Sequence, residues 1–252
     1  MSDPARLPVQ GSSPGCPGDE ESTARAIRDM FARVTPRYDF LNHLLSLGRD
    51  IAWRRATANA LREVLARPGS RVVDLCCGTG DLTVALARYS AGAVIGADFC
   101  HPMLQLAQKK AQRRTSSIYF LEADTLALPF RDASLDAVAV AFGFRNLANY
   151  VRGVQEMRRV LRSRGLVAIL EFSRVHQPVL GSLFRFYFHR ILPRLATWIS
   201  GVSGPYQYLP GSVCRFSSQQ SLAALLSDAG FQNVRYMDFS GGVAALHLGE
   251  KA

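Results

Sequence analysis

The chain has 252 residues, of which 48% are apolar and 20% are charged, and this composition excludes a disordered or collagen-like protein. The formal net charge of +10 favours contact with phosphates or anionic lipid head groups but does not choose between them. Charges interrupt the longest apolar stretch, and the five cysteines lack the spacing of a metal site or a disulfide framework. We therefore expect no membrane-spanning helix, no metal site and reduced thiols.

The N-terminal quarter is predicted to be a tail followed by a helical cover. Residues 1–21 are rich in Pro, Gly, Ser and acidic residues and contain no apolar segment of a secretory signal, so we expect a flexible tail on a cytoplasmic protein. Apolar residues at helical spacing predict a first helix around Ala26–Val34, a second over Tyr38–Leu47 and a third over about Asp50–Ala66. Because these helices precede the first strand, residues 22–67 are interpreted as a cover over the main domain.

From Arg71 onward, short apolar strands alternate with helices, which is the pattern of a parallel sheet. In chain order, the predicted elements are strand Arg71–Cys76, helix Asp81–Tyr89, strand Ala93–Asp98, helix Pro102–Arg113, strand Ile118–Glu122, strand Asp136–Ala141, helix Asn149–Leu161 and strand Leu166–Phe172. These strands are apolar almost throughout, which indicates burial on both faces of the sheet.

The last third of the chain adds an insertion and two more strands. Residues 174–216 form the insertion, with a predicted helix over Val179–Ser200. The remaining predicted elements are a helix over Ser217–Ala229 and strands Val234–Phe239 and Val243–Leu248, which close the sheet as a hairpin. The predicted fold class is therefore α/β, a mostly parallel seven-stranded sheet with helices on both faces, within a single domain over residues 22–252.

A glycine loop joins the first predicted strand to its helix, in the segment Asp74-Leu-Cys-Cys-Gly78-Thr-Gly80-Asp81. Glycines at this turn let the backbone approach a ligand without obstruction by Cβ, so a nucleotide-like group is the expected occupant. The third glycine of a dinucleotide fingerprint is replaced by Thr83, and the Lys-Ser/Thr pair of a P-loop is missing. NAD and ATP are therefore disfavoured.

Two aspartates follow the next strands at the same edge of the predicted sheet. Asp98 ends the second strand, where a carboxylate can accept both hydroxyls of a ribose and would repel a ribose phosphate. Asp124 follows the third strand and can reach an adenine amino group. Together with Asp74, these carboxylates suit a phosphate-free cofactor with a positive centre, and S-adenosylmethionine meets that description. Taken singly, each aspartate is equally well explained as a cap or a solvated loop residue.

The sequence resembles the ubiquinone/menaquinone biosynthesis C-methyltransferases, a family of the class I S-adenosylmethionine-dependent methyltransferases. Segment Asp74–Asp81, Asp98 and Ala123-Asp124 carry the resemblance to the class. The narrower family is carried by segments that occur together and in order: Tyr38-Asp-Phe-Leu-Asn42 with Leu45-Ser-Leu-Gly48 and Trp53, Phe142-Gly-Phe-Arg-Asn146, Glu156-Met-Arg-Arg-Val-Leu161, Leu170-Glu-Phe-Ser173, Leu192-Pro-Arg194 and Tyr206-Gln-Tyr-Leu209. The resemblance covers the chain from about Met30 and implies a Rossmann-like fold with an N-terminal helical lid and a helical insertion after strand five.

The resemblance also implies the cofactor and the reaction. The residues that correspond to the family's contacts with S-adenosylmethionine are Thr79, between Gly78 and Gly80 of the loop, Asp98, Asp124 and Thr125. Ala141 stands where many relatives have a serine that also touches the cofactor, so one contact is absent here. The methyl acceptor of the family is a ring carbon of a polyprenylated hydroquinone, ortho to a hydroxyl. Segment Tyr38–Leu47 resembles the menaquinone-specific members more than the dual-function ones, and action on the ubiquinone precursor, or on both quinols, stays an alternative.

The acceptor needs a partner for the charge that develops on its hydroxyl oxygen. Arg145, just past the fourth strand, is the candidate catalytic residue because it stays protonated and can stabilise a phenolate-like oxygen or polarise a water. Candidates for the base that removes the hydroxyl proton are His43, His176, Tyr206 and Tyr208, and the sequence does not rank them.

The predicted insertion is basic and aromatic. Between Phe172 and Ser227 there is no Asp or Glu, while arginines alternate with Phe, Tyr and Trp. Such a surface suits transient docking on the inner face of an anionic membrane, where a polyprenylated quinol resides, although the same rings could instead form the insertion's own core. An RNA methyltransferase is a more remote alternative, because no RNA-binding module is visible and nucleic acid is not an expected partner. A cofactor-binding protein without catalysis is disfavoured by the complete loop and its aspartates.

Overall fold

The computed structural model describes residues 20–35, 43, 46–112, 117–173, 175 and 218–252. Most of the predicted tail, most of the predicted second helix and nearly all of the insertion lie outside these described residues. Three of the four candidate bases, His176, Tyr206 and Tyr208, lie outside them as well.

A seven-stranded sheet, in the order β3-β2-β1-β4-β5-β7-β6, forms the centre of the described fold. Its strands are β1 (Arg71–Leu75), β2 (Ala93–Asp98), β3 (Ile118–Glu122), β4 (Leu135–Ala141), β5 (Leu161–Phe172), β6 (Phe231–Phe239) and β7 (Ala244–Lys251). Strands β1 to β5 pair in parallel, whereas β7 runs antiparallel to both β5 and β6. The predicted α/β fold class is confirmed, and the predicted closing hairpin is the β6–β7 pair.

Helices cover the sheet on both faces. They are α1 (Glu20–Val34), α2 (Arg49–Ala60), α3 (Arg62–Leu65), α4 (Asp81–Ala87), α5 (His101–Ala111), α6 (Tyr150–Val160) and α7 (Gln219–Asp228). Successive strand residues point to opposite faces, so Val72 packs against a core built with α2, α3 and α4, while Val73 packs against a core built with α6 and α7. Both valines are fully buried, which explains why the strands read as continuous apolar runs.

Several element boundaries differ from the predicted ones. The predicted helix over Asp50–Ala66 is divided into α2 and α3, because the backbone of Leu61 leaves helical geometry (φ −96°, ψ 4°). Strand β5 begins at Leu161, before the predicted start at Leu166, although Ser163 and Arg164 are exposed. Leu161 pairs with Leu135 of β4, and the register then shifts before Ala137 pairs with Leu166. The polar residues between Leu161 and Leu166 therefore form an irregular, bulged part of the strand, in which Arg164 has a φ of +62°.

The order of the strands reverses next to β1, since the chain adds β2 and β3 on one side and then β4 and β5 on the other. Open α/β sheets bind ligands in the crevice at the carboxyl ends of the strands, where the order reverses. The helices that follow β1 and β4, α4 and α6, lie on opposite faces of the sheet. Among the helices of the described residues, none is long and apolar enough to cross a membrane.

Candidate active site in the crevice between strands

The glycine loop, residues 76–80, leaves β1 at the crevice. Gly80 has a φ of +82°, and a Cβ at this position would lie 3.1 Å from the Cβ of Ala107 in α5. Glycine therefore meets two demands at once, a left-handed backbone and a close approach to α5. On the other side, a Cβ at Gly143 would lie 2.3 Å from the Cβ of Cys76, so the loop after β4 packs directly on the glycine loop.

Asp98, at the end of β2, is held by main-chain donors before any ligand is present. The Gly78 N–H donates to its Oδ2 at 2.8 Å, and the Cys100 N–H donates to its Oδ1 at 2.8 Å. Burial raises the pKa of Asp98 to about 6, and these N–H donors limit the rise. Each carboxylate oxygen keeps a further lone pair, so Asp98 can also accept the two hydroxyls of a ribose.

Asp124 and Thr125 lie in the loop after β3, next to the glycine loop. Thr125 is buried, and its Oγ1 lies 3.5 Å from the Cys76 Sγ. Asp124 is exposed, and its Oδ1 accepts the Leu126 N–H at 2.9 Å, which shapes the turn. The exposed carboxylate and the buried hydroxyl therefore sit beside the same loop as Asp98, where the sequence predicts the adenine.

Lys110 is a site residue that the sequence analysis did not identify. Its Nζ donates to the Thr79 Oγ1 at 3.1 Å and to the Asp81 Oδ1 at 2.5 Å. The Lys110 ammonium group, on α5, thus forms hydrogen bonds with both the glycine loop and the start of α4. The one available signal was composition, because Lys110 is one of only three lysines in an arginine-rich chain.

Asp74, inside β1, lies beneath the loop and is fully buried. Its Oδ2 accepts the Thr83 Oγ1 hydroxyl at 2.6 Å, while its Oδ1 is buried with no hydrogen-bond partner. Burial raises the pKa of Asp74 to about 7. Two carboxylates with raised pKa values at one crevice fit a cationic ligand such as S-adenosylmethionine, because the ligand's charge compensates theirs.

Arg145, the predicted catalytic residue, follows β4 and is buried in an ion pair with Glu171 of β5. The Arg145 Nη1 donates to the Glu171 Oε1 at 2.6 Å and to the Phe142 carbonyl oxygen at 2.6 Å. The guanidinium also lies over the Phe172 ring, 5.4 Å from its centroid. Glu171 was not predicted as the partner of Arg145, although a single acid in the predicted apolar strand Leu166–Phe172 was a signal for a buried ion pair.

The remaining described candidate, His43, lies before α2 and contacts Asp50 through its Nδ1. The structure places this pair on the α4 side of the glycine loop, where His43, Asp81 and Lys110 line the same cavity. Asp98 and Thr125 contact the loop from the ends of β2 and β3, and the segment that carries Arg145 packs on the loop at Gly143. The described candidates therefore gather around one crevice.

The fold is that of the class I methyltransferases. A solved S-adenosylmethionine-dependent methyltransferase from Thermotoga maritima is similar with a TM-score of 0.61 and 18% sequence identity, over 90% of this chain and 100% of that one. At this level of identity the similarity defines the fold class alone.

The chain belongs to the ubiE/COQ5 methyltransferase family, whose model matches residues 19–251. It is 47% identical over 223 residues to a demethylmenaquinone methyltransferase of Thermus thermophilus, and this alignment covers 88% of this chain and 100% of that protein. It is 44% identical over 235 residues to a demethylmenaquinone methyltransferase of Deinococcus radiodurans, with coverage of 93% and 96%. The family and the fold predicted from the sequence are confirmed, and the methyl donor is S-adenosylmethionine.

The raised pKa values of Asp74 and Asp98 generate a prediction for cofactor binding. A cationic ligand favours the ionised carboxylates. At a pH below the pKa values of Asp74 (about 7) and Asp98 (about 6), binding of S-adenosylmethionine must therefore displace their protons. We expect its affinity to rise as the pH increases from about 5 to about 8, with proton release in that range. Calorimetry in two buffers of different ionisation enthalpy measures the number of protons.

The matched variant is Asp74→Asn, which keeps the size of the side chain and removes the proton that titrates near neutral pH. We expect it to weaken binding at pH 8 and to reduce the rise between pH 6 and pH 8. An affinity that is flat over this range, or a pH dependence that Asp74→Asn leaves unchanged, contradicts the assignment.

Proposed function

We propose that the protein transfers a methyl group from S-adenosylmethionine to a ring carbon of 2-demethylmenaquinol and so forms menaquinol. The observation that carries this proposal is its similarity to the Thermus and Deinococcus demethylmenaquinone methyltransferases over nearly their whole lengths. Other relatives, 38–40% identical to this chain, are ubiquinone/menaquinone biosynthesis C-methyltransferases, so a benzoquinol precursor of ubiquinone is the alternative acceptor. The product decides between them.

The residues around the glycine loop would hold the donor. Asp98 accepts the ribose hydroxyls, Asp124 and Thr125 border the adenine, and the loop Gly78-Thr79-Gly80 lies against the remaining part of the molecule. The bound cofactor supplies an electrophilic methyl group on a sulfonium. Because the carboxylates are arranged before binding, little reorganisation is needed to align the donor, and alignment accounts for much of the rate of an in-line displacement.

Arg145 would stabilise the negative charge on the acceptor oxygen. The loop that carries it packs on the glycine loop at Gly143 and Cys76, so Arg145 lies at the same edge of the sheet as the donor site. Glu171 and the Phe142 carbonyl fix its orientation from one side. A fixed, permanently charged donor in a buried environment is the arrangement that stabilises a developing oxyanion.

The product test uses the purified protein and S-adenosylmethionine with a labelled methyl group. Its three arms supply reduced 2-demethylmenaquinol, the reduced benzoquinol precursor of ubiquinone, or RNA as the methyl acceptor. We expect label in menaquinol. Label in the benzoquinol alone, or in RNA alone, contradicts the proposal.

The variant Asp98→Ala tests the ribose contact. It should lose two charge-assisted hydrogen bonds to the ribose, each worth about 1.5 kcal/mol or more, and so bind the cofactor at least tenfold more weakly.

The role of Arg145 needs a variant that separates catalysis from folding. Arg145→Ala leaves Glu171 buried without its counter-charge, which costs about 3–5 kcal/mol of stability. The double variant Arg145→Met with Glu171→Gln removes both charges and keeps a side-chain oxygen for the main-chain N–H groups of Arg145 and Phe172, so we expect near-native unfolding in urea and near-native cofactor affinity. Loss of an oxyanion donor lowers kcat by about 10²–10³-fold, and a methyl-transfer assay measures it. Native turnover in the folded double variant would show that Arg145 only supports the structure.

We also propose that the protein docks transiently on an anionic membrane, where it meets its acceptor. The predicted docking insertion lies outside the described residues, but the described surface offers a second element, an apolar tip formed by Leu47 (74% exposed) and Ile51 (45% exposed). Arg49 and Arg55 flank this tip and are exposed. Apolar side chains between arginines match the boundary between acyl chains and anionic head groups.

Sedimentation with anionic vesicles tests the tip. Burial of one large apolar side chain contributes about 1.5 kcal/mol, so the double variant Leu47→Asp with Ile51→Asp should bind at least tenfold more weakly. The matched control changes two exposed apolar residues elsewhere, Tyr119→Asp with Met237→Asp. Equal losses in both double variants, or vesicle binding that is unaffected by the tip variant, argue against this docking surface.

A further inference from the structure

His43 and Asp50 form an imidazole–carboxylate pair at the start of α2. The His43 Nδ1 lies 3.0 Å from both oxygens of Asp50. Asp50 is buried and also accepts a hydrogen bond from the Ser46 Oγ at 2.7 Å and one from the Arg54 guanidinium. Burial opposes ionisation of Asp50, but the Ser46 hydroxyl and the Arg54 charge outweigh it and hold the pKa of this carboxyl below its ordinary value.

The ionised Asp50 determines which nitrogen of His43 carries the proton. A carboxylate only accepts hydrogen bonds, so the Nδ1 must be the donor in the neutral ring. The Nε2 then holds the basic lone pair. This is the tautomer and the orientation that a carboxylate imposes on a histidine that acts as a base.

The imidazole opens into a cavity of about 200 Å³ beside the glycine loop. The His43 side chain is 39% exposed, whereas Asp50 behind it is 2% exposed. Asp81 and Lys110 line the same cavity, and Lys110 also bonds to Thr79 of the loop. The basic nitrogen therefore belongs to a cavity that adjoins the methyl-donor crevice.

Charged groups lie near both partners of a proton transfer from a phenol to this ring. Among the described residues, those that contact the imidazole or line its cavity are Asp50, Arg54, Arg55, Asp81, Arg88 and Lys110. Asp50, which pairs with Arg54, stabilises the imidazolium that forms, and the arginines and Lys110 that line the cavity stabilise a phenolate. Arg54 also lies over the Phe142 ring, 5.2 Å from its centroid, and the Phe142 carbonyl accepts from Arg145. Asp50, Arg54 and Phe142 thus link His43 with Arg145, the cation assigned to the acceptor oxygen.

We propose that His43 is the general base that removes the hydroxyl proton of the acceptor quinol, and that Asp50 is its positioning residue. This inference rests on the proposed function. In the step, the O–H bond of the quinol breaks, its electron pair stays on oxygen, and the proton forms a bond to the Nε2 of His43. The exposed edge of the ring then returns the proton to water.

Three single variants and one double variant test the proposal. His43→Gln removes the base, and Asp50→Asn keeps the imidazole but removes the charge that orients it. The matched control is His101→Gln, because His101 also pairs with a carboxylate, Glu122 at 2.9 Å, but on an exposed surface outside this cavity. Urea unfolding establishes that each variant is folded.

The first readout is the pH dependence of methyl transfer to 2-demethylmenaquinol. Loss of a general base lowers kcat by about 10²–10⁴-fold, so we expect that loss in His43→Gln at neutral pH with a KM change of less than about threefold. The loss should shrink as the pH rises, because hydroxide then removes the proton. Asp50→Asn should show a smaller loss, and the His43→Gln, Asp50→Asn double variant should be no worse than His43→Gln alone.

The second readout needs no methyl donor and no turnover. The probe is 1-naphthol, whose absorption differs between phenol and phenolate. We expect the native protein and His101→Gln to bind part of it as phenolate at neutral pH, and His43→Gln to bind it only as phenol.

The outcomes separate this proposal from the proposed function. If the native protein does not methylate 2-demethylmenaquinol, the proposed function fails, whatever the state of the bound naphthol. If it does, a folded His43→Gln with native kcat and a native pH profile overturns the base assignment. Naphthol bound only as phenol by the native protein, or equally as phenolate by His43→Gln, overturns it as well.

Discussion

The hydrogen bond from the Gly78 main chain to the Asp98 carboxylate joins the carboxyl ends of β1 and β2, and the donor crevice depends on it. Burial of a carboxylate as deep as Asp98 costs free energy unless hydrogen-bond donors replace the water that it has lost. Main-chain N–H groups supply this compensation, so the loop conformation and the ionisation of Asp98 support each other. The contacts of Thr79 and Thr125 then extend the same loop toward α5 and β3.

The opposite side of the crevice is built from ion pairs and aromatic rings. Asp50 pairs with Arg54 and Arg145 pairs with Glu171, and each guanidinium lies over a phenylalanine ring. The rings between them, Trp53, Phe142 and Phe172, contact one another at centroid distances of 4.7–6.4 Å. Buried ion pairs add little net stability, since desolvation offsets the attraction. Their presence at this edge is better explained by the need to hold charged groups in fixed positions near the reaction.

Local patterns predicted part of this structure correctly. Strands Ala93–Asp98 and Ile118–Glu122 have the predicted bounds, because their apolar runs are short and end at charged residues. Strand β5 was predicted too short, because its polar residues 163 and 164 lie in a shift of register between the Leu135–Leu161 and Ala137–Leu166 pairs. The spacing of the glycines predicted the position of the loop, since a turn that needs positive φ favours glycine. No local pattern predicts the contact of Lys110, because it depends on how α5 packs against the loop.

The sequence by itself determined the class of fold, the place of the glycine loop and the carboxylate at the end of β2, because periodicity and turn chemistry act between near neighbours. Only the tertiary structure decided that β7 lies between β5 and β6, that Glu171 pairs with Arg145 across 26 residues, and that Lys110 reaches Asp81 across 29. These partners meet because the sheet and its helices bring distant segments together, and a buried charge is stabilised by whichever opposite charge that packing places within reach.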